Sequence, residues 1–525
     1  MRTFTTDGPC ESARHYLLPA APRLAEAKCL VDQGAYFVLR SPGRTGKTTA
    51  LRALAETLNA EGRHAALVCS AAVASPARSD LVLVQEALLS AIRIAAEQDL
   101  PSALRPPPFP ASADATRLWE GLSAWARVCP LPIVLFFDDV DSLHGSALES
   151  VLRQLEAGFS RRPSHFPWSI GLSCQFDLHE NAPRMPDDST KIASAGPFER
   201  FWASPVLPPF TEDEIRALYS QHTVETQQVV DSGAVTFVRK ASAGHPFFVQ
   251  ALGREAAEMV PCPGTITKSH MIAAFRRLVD QGVSSIDALE SRLIESRVRR
   301  VIEPLLAGTA EIASASEDDV RFVRDIGLVA KDDPARIEGR IHRAIIPRLL
   351  AKCAKRAFTD DPSQFFLTDG RLAVEPLLHG FAVFYATHGN ELLDAIAYQK
   401  VAPELVFLGF LYRMLEGRGT IDVDYGSSRR RIDVTLSVPA VKSSSDSNTE
   451  NAEQREVFVL VSRRKGDSGL KTRGLVWLEN ALEDQSTESG TLVVFDRRDK
   501  HASVRRIELR EATTIKGKTV RFLRA

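Results

Sequence analysis

Seven cysteines (Cys10, Cys29, Cys69, Cys129, Cys174, Cys262 and Cys353) are scattered along the chain, and none forms a CxxC pair. That pattern argues against a zinc site or a disulfide framework and fits a reducing compartment. Long apolar runs are also missing. The longest, around Ile133 to Phe137, has the length of a strand and cannot cross a bilayer. The start, Met1-Arg2-Thr3-Phe4, has no basic region, apolar stretch or small-residue cleavage site of a secretory signal. A cytoplasmic location with no membrane partner is therefore the expectation. Nor is there an excess of either charge: 65 Lys and Arg stand against 66 Asp and Glu, a net of -1. Any nucleic-acid surface must then be a local patch. No internal repeat is visible.

The 525 residues, 44% hydrophobic and 25% charged, have the composition of an ordinary globular protein long enough for several cores. From about residue 35 to 207, short apolar runs (Tyr36 to Leu39, Ala65 to Cys69, Ile133 to Phe137, Trp168 to Leu172) alternate with longer helical patterns. This is the rhythm of a parallel sheet with crossover helices. Leu148, Val151, Leu152, Leu155 and Phe159 recur at helical spacing between the last two runs. After Phe210 the pattern turns wholly helical for about 120 residues, with Thr211 and Glu214 spelling a capping box. Helices at Val298 to Leu305 and Asp319 to Asp325, followed by a hairpin-like stretch from Gly327 to Ile341, predict a winged-helix module. An ordinary helical lid is the alternative. The last part turns to helices (Leu372 to Tyr385, Glu404 to Leu415) and then strands (Gly419 to Asp424, Arg431 to Leu436, Glu456 to Ser462, Thr491 to Phe495). The reading is an α/β protein with a nucleotide-binding core at 1–225, a helical lid at 226–290, the winged-helix module at 291–352 and a second α/β domain at 353–525. The Ser/Asn/Asp/Glu-rich stretch 441–454 is expected to be a disordered loop.

Ser41-Pro42-Gly43-Arg44-Thr45-Gly46-Lys47-Thr48 follows a strand and opens a helix, the context that a phosphate-binding loop requires. The loop from Pro42 through Thr49, with the backbone N–H groups that begin at Gly43, and the positive end of the helix would surround the phosphates of ATP. Lys47 supplies a point charge and Thr48 an oxygen ligand for Mg²⁺. Ser41 stands where the first glycine of the motif is usual, which the loop tolerates if that position needs no positive φ. Downstream, Ile133 to Asp139 is an apolar strand ending in two carboxylates, Asp138 for the Mg²⁺ shell and Asp139 to polarise the attacking water. Asp139 stands where many hydrolytic relatives carry glutamate, and its shorter reach predicts slow turnover. The alternative is that the carboxylates after this strand cap a helix, with Asp141 as the candidate cap.

With these motifs the chain resembles the prokaryotic AAA-like P-loop ATPases related to the origin-recognition and STAND group. The resemblance runs from His15-Tyr16-Leu17-Leu18-Pro19 through the P-loop, Asp138 to Asp141 and Phe210 to Glu214. It ends in Ala243-Gly244-His245-Pro246-Phe247, similar to that group's glycine-x-proline element. It implies that Tyr16 lies near the adenine, or else is a core tyrosine at a domain seam. It implies as well an arginine finger from a neighbouring subunit of a homo-oligomer, with Arg161, Arg162 and Arg200 as candidates, and a lid residue, Arg254, or a solvated helix face there. The C-terminal part resembles a PD-(D/E)XK nuclease-type domain, carried by Glu404, Asp424 to Asp433, and the strand Val457 to Val461. Where an active member has Glu-x-Lys, this chain has Val461-Ser462-Arg463, so the resemblance implies a degenerate nuclease fold. Basic residues gather there (Arg429, Arg430, Arg431, Arg463, Arg464, Lys465, Arg497, Arg498, Arg505, Arg506). They form a phosphate-backbone patch or a solvated face balanced by Asp446, Glu450 and Glu453.

The leading functional expectation is an ATP- and Mg²⁺-dependent, slowly hydrolysing switch whose C-terminal domains bind DNA or a protein partner. An ATP-dependent nuclease and a non-hydrolysing nucleotide-binding scaffold are the alternatives.

Overall fold

The computed structural model describes residues 1–77, 80–143, 145–176, 202–281, 286–308, 312, 315–359, 361–416, 418–425, 431–439, 453–463, 469–497, 507–514 and 516–525. Arg200, Arg429, Arg430, Asp446, Glu450, Arg464, Lys465, Arg498, Arg505 and Arg506 lie outside the described residues, as does 441–452 of the expected loop. The chain divides into two compact units, Met1–Ala274 with Arg321–Gly327, and Phe275–Val320 with Leu328–Ala525.

In the first unit the apolar runs form the strands β1 (Tyr36–Arg40), β2 (Ala65–Ser70), β3 (Ile133–Asp138) and β4 (Ser169–Cys174), joined by a short β5 (Trp202–Ala203) that the sequence does not announce. They pair in parallel in the order β2-β3-β4-β1-β5. All six residues of β3 and of β4 are buried, as expected of strands covered by helices on both faces. The helices are α1 (Ala25–Asp32), α2 (Lys47–Ala60), α3 (Leu81–Asp99), α4 (Arg117–Val128) and α5 (Gly145–Gly158). Leu51, Leu54 and Leu58, spaced along one face of α2, pack with Val31, Phe37, Leu39 and Phe136 into one core cluster. That face anchors the helix whose first turn carries Lys47 and Thr48, and each such buried side chain contributes roughly 1.5–3 kcal/mol.

A helical section follows: α6 (Glu212–Thr226), α7 (Ser232–Ser242), α8 (Pro246–Met259) and α9 (Lys268–Gln281). The capping box at the start of α6 forms as read, Thr211 Oγ1 accepting from Glu214 N and Glu214 from Thr211 N. Two three-residue strands, β6 (Gln228–Val230) and β7 (Gly264–Ile266), pair within this stretch, where only helices were expected. They are too short to leave a periodic signal.

The second unit holds α10 (Ile286–Ile294) and α11 (Ser296–Leu306). After α12 (Glu317–Asp325), a bridge pairs Val329 with Ile337. The expected hairpin-like stretch does not continue to Ile341, because α13 (Gly339–Leu350) begins at Gly339. Helices α14 (Lys352–Ala357), α15 (Val374–Ala395) and α16 (Ala402–Met414) gather Phe358, Phe381, Phe384, Phe407 and Phe410 into an aromatic core. Strands β8 (Thr420–Tyr425), β9 (Ile432–Pro439) and β10 (Glu453–Arg463) form an antiparallel meander. Then come α17 (Leu470–Asp484), β11 (Gly490–Asp496), β12 (Glu508–Thr513) and β13 (Thr519–Arg524), in the sheet order β12-β13-β11-β10-β9-β8. Glu453 and Gln454, expected in the loop, open β10, where the Gln454 amide exchanges two hydrogen bonds with the Leu372 backbone. Among the described residues no helix is long and apolar enough to cross a membrane.

Candidate functional site

The loop between β1 and α2 is set by two left-handed residues, Arg44 (φ 59°) and Gly46 (φ 87°), which alternate with Gly43 and Thr45, whose φ is not positive. Such alternation turns successive N–H groups to one side and makes an anion nest. Ser41 also avoids positive φ, so the missing glycine costs the loop nothing. The serine instead ties the loop down: its N–H donates to Cys174 O at 3.2 Å and its hydroxyl to Leu207 O at 3.1 Å. Thr45 Oγ1 donates to Pro42 O at 2.8 Å.

Lys47 is buried and donates from Nζ to Ser41 O and Pro42 O at 2.8 and 2.9 Å. Burial lowers its pKa, opposed by the nearby carboxylates of Asp141 and Asp138. The Thr48 hydroxyl donates to Asp138 Oδ2, which joins the helix start to the end of β3. Asp138 is 2% exposed, and its Oδ1 is buried with no hydrogen-bond partner among the described residues. A hydroxyl beside a buried carboxylate with a spare oxygen is the hard-oxygen donor set that suits Mg²⁺. Asp139 follows in a left-handed conformation (φ 56°), which aspartate tolerates better than most residues, and is exposed. Its pKa is raised to about 6, first by desolvation and then by the charges of Asp138 and Asp141.

The sheet order places β4 between the loop strand β1 and the carboxylate strand β3. The residue after β4 therefore enters the same site, and that residue is Gln175. A Cβ added to Gly43 would stand 3.4 Å from Gln175 Oε1. Sequence reasoning missed this residue, although being the first polar side chain after a buried strand is a usable signal.

From the helical section, the turn Ala243-Gly244-His245 reaches the loop. Gly244 (φ 78°) cannot carry a side chain, since a Cβ would meet Phe210 O at 2.2 Å. Phe210 N donates to Gly244 O at 2.8 Å, so this turn is fixed to the segment that opens α6. His245 Nε2 donates to Gly43 O at 3.0 Å, and the Arg44 guanidinium lies 4.9 Å from the Phe247 ring centroid. On another side, Cys10 N donates to Thr49 Oγ1 at 3.0 Å, bringing the N-terminal segment to the first turn of α2. The segment Arg321–Gly327 also belongs to this unit: Phe322 packs on Phe176, Arg40 pairs with Asp325 at 3.9 Å, and Gly327 abuts Pro42.

Tyr16 is enclosed by side chains of the first unit. It is fully buried, with Phe4 and His222 against its ring at 4.9 and 5.4 Å and the Arg2 guanidinium over it at 5.4 Å. Its hydroxyl donates to His222 Nδ1 at 3.2 Å, while His222 Nε2 donates to Gln228 Oε1 at 2.7 Å. Its faces and its hydroxyl are thus used internally, the surroundings that the core-tyrosine alternative describes. Arg162 is likewise committed inside the fold, donating to Phe159 O, Gly34 O and Trp168 O with its guanidinium over the Phe159 ring. Arg161 is exposed over Trp119, and Arg254 donates to Thr6 Oγ1 at 2.8 Å.

In the second unit, Asp433 pairs with Arg431 at 2.8 Å and stands opposite Val459 on β10. Ser462, three residues along β10 from Val459, faces the other side of the sheet, and its hydroxyl donates to Glu404 Oε1 at 2.7 Å. The two candidate nuclease carboxylates therefore lie on opposite faces. Among the described residues no group of three or more His, Cys, Asp or Glu could hold a metal ion.

No family model and no curated protein matches the sequence. Among solved structures the chain is similar to the Walker-type ATPase PABY2304 of Pyrococcus abyssi (13% identity, 65% of this chain and 99% of that one, TM-score 0.47). It is also similar to the Thermotoga maritima RuvB Holliday junction branch migration motor (15% identity, 62% and 93%, TM-score 0.34). A third similar structure is the Aeropyrum pernix ORC1 protein in complex with DNA (15% identity, 63% and 93%, TM-score 0.34). The functional reading rests on the geometry of the site itself.

Proposed function

We propose that the chain is an ATP-binding, magnesium-dependent switch that hydrolyses ATP slowly and passes its state to a DNA or protein partner through its C-terminal half. The observation that carries this is the junction of Thr48 with Asp138 beside a buried Lys47. It supports a phosphate site and a cation site built from two separate stretches of sequence. In this reading the nest from Gly43 to Thr49 holds the phosphates, and Lys47 exchanges its two loop carbonyls for β- and γ-phosphate oxygens. Magnesium held by Thr48 and Asp138 would neutralise phosphate charge. In hydrolysis the oxygen of a water forms a bond to the γ-phosphorus as the bond to the β–γ bridging oxygen breaks, and Asp139 takes the water proton. A pKa near 6 suits that role at neutral pH, where most of the group is ionised.

The division into core 1–225, lid 226–290, winged-helix module 291–352 and nuclease-like domain 353–525 belongs to the same proposal. The Val329–Ile337 bridge after α12 supports the winged helix. The Arg431–Asp433 pair and the opposed carboxylates favour a binding role over cleavage for the last domain. A cytoplasmic homo-oligomer, with DNA held by the basic C-terminal residues, completes the reading.

The test is Mg²⁺-dependent ATP binding and phosphate release by wild type and Lys47→Ala, each with and without DNA. Binding and slow release, both lost in the variant, support the proposal, and stimulation by DNA would select nucleic acid as the partner. Absence of binding by the wild-type protein would overturn it, and binding without release would leave only the scaffold.

A further inference from the structure

We infer that the turn Gly244 to Phe247 is a positioning element of the phosphate loop, holding Arg44 in the left-handed conformation that the anion nest needs. The inference rests on the ATP-site reading above and adds to it a dependence of triphosphate affinity on how this turn is seated. Four observations converge. Arg44 is a non-glycine residue at φ 59° in the middle of the loop, whereas the other left-handed position is filled by Gly46. An L-residue there is strained and persists only where its surroundings enforce it. His245 Nε2–H fixes the carbonyl of Gly43, and so the plane of the peptide whose N–H belongs to Arg44. Phe247, two residues on, lies 4.9 Å from the Arg44 guanidinium and fixes the direction of the side chain. The turn that carries both is itself locked, by Gly244 against Phe210 O and by His245 N on Ser242 O at 3.0 Å.

Without these contacts Arg44 relaxes to negative φ, its peptide rotates, and its N–H turns out of the nest. A glycine at position 44 carries no such preference and keeps the nest without help from the turn. His245 and Phe247 therefore act on the phosphates through Arg44 and touch no reacting atom themselves.

The experiment is calorimetric titration of the full chain with ATP and Mg²⁺. His245→Ala weakens binding by about tenfold, the size set by one strained residue. His245→Gln, which keeps an N–H donor at similar reach, stays within about twofold of wild type. Arg44→Gly combined with His245→Ala binds as Arg44→Gly alone does. That rescue separates positioning from general damage, since a turn needed only for stability would not be relieved by a change in the loop. Should His245→Ala show no cooperative melting transition, Phe247→Leu takes its place, with the same loss and the same rescue expected. Wild-type affinity in His245→Ala, or a double variant still about tenfold weaker than Arg44→Gly, overturns the inference and leaves the ATP site standing. A wild-type protein that binds no ATP overturns both.

Discussion

Arg431 and Asp433, two residues apart at the start of β9, form an ion pair with Nη2 2.8 Å from Oδ2, the guanidinium 5.9 Å from the Trp477 ring centroid. In the nuclease reading that carboxylate would face a metal ion; here it neutralises a buried cation. Replacing Asp433 by Ala strands the guanidinium, so the variant should lose about 3 kcal/mol in denaturant unfolding. Wild-type protein should nick plasmid DNA no faster than buffer with Mg²⁺ or Mn²⁺. Metal-dependent cleavage that disappears in Asp433→Ala would sink the binding-only account of this domain.

Asp139 gives a pH signature. Its pKa rises from 3.8 to about 6 on folding, so the folded protein holds this proton more tightly than the unfolded chain. The stability it contributes is fully present below about pH 4 and is lost as pH rises through about 6. Asp139→Asn carries no such dependence. Its melting temperature should match that of wild type near pH 4 and exceed it at pH 8, while wild-type phosphate release should rise with pH through about 6. A difference in melting temperature that is constant across pH would contradict this.

Tyr16→Phe tests the core-tyrosine alternative at the N-terminal segment. Loss of the hydroxyl removes one buried hydrogen bond to His222, worth about 1 kcal/mol. Melting should shift accordingly, with ATP affinity unchanged. A large fall in affinity at constant stability would restore the adenine contact.

Ser41→Gly would recreate the common glycine of the motif. Because Ser41 needs no positive φ and its hydroxyl holds Leu207 O, the change should destabilise by about 1 kcal/mol and should not tighten ATP binding. Titration and melting of the same sample decide it, tighter binding being the contrary result.

Gly46-Lys47-Thr48, the buried run ending in Asp138-Asp139 and the capping box at Thr211 were legible because each is a local pattern: a turn, a strand of continuous apolar residues, a reciprocal cap. So were the four main strands of the first sheet, whose burial on both faces imposes apolar runs. The two-residue β5 and the three-residue β6 and β7 left no period to read. The sequence by itself determined that the loop Ser41 to Thr48 would meet a carboxylate strand, and that Val461-Ser462-Arg463 would stand where the nuclease resemblance calls for Glu-x-Lys. Only the tertiary structure decided that β4 runs between them and delivers Gln175, that His245 reaches Gly43 across 202 residues, that Tyr16 closes inward on His222, and that Glu404 and Asp433 face apart. Strand order and sheet face depend on which distant segments bury their apolar surface together, and that choice is made by packing between elements rather than by the pattern within any one of them.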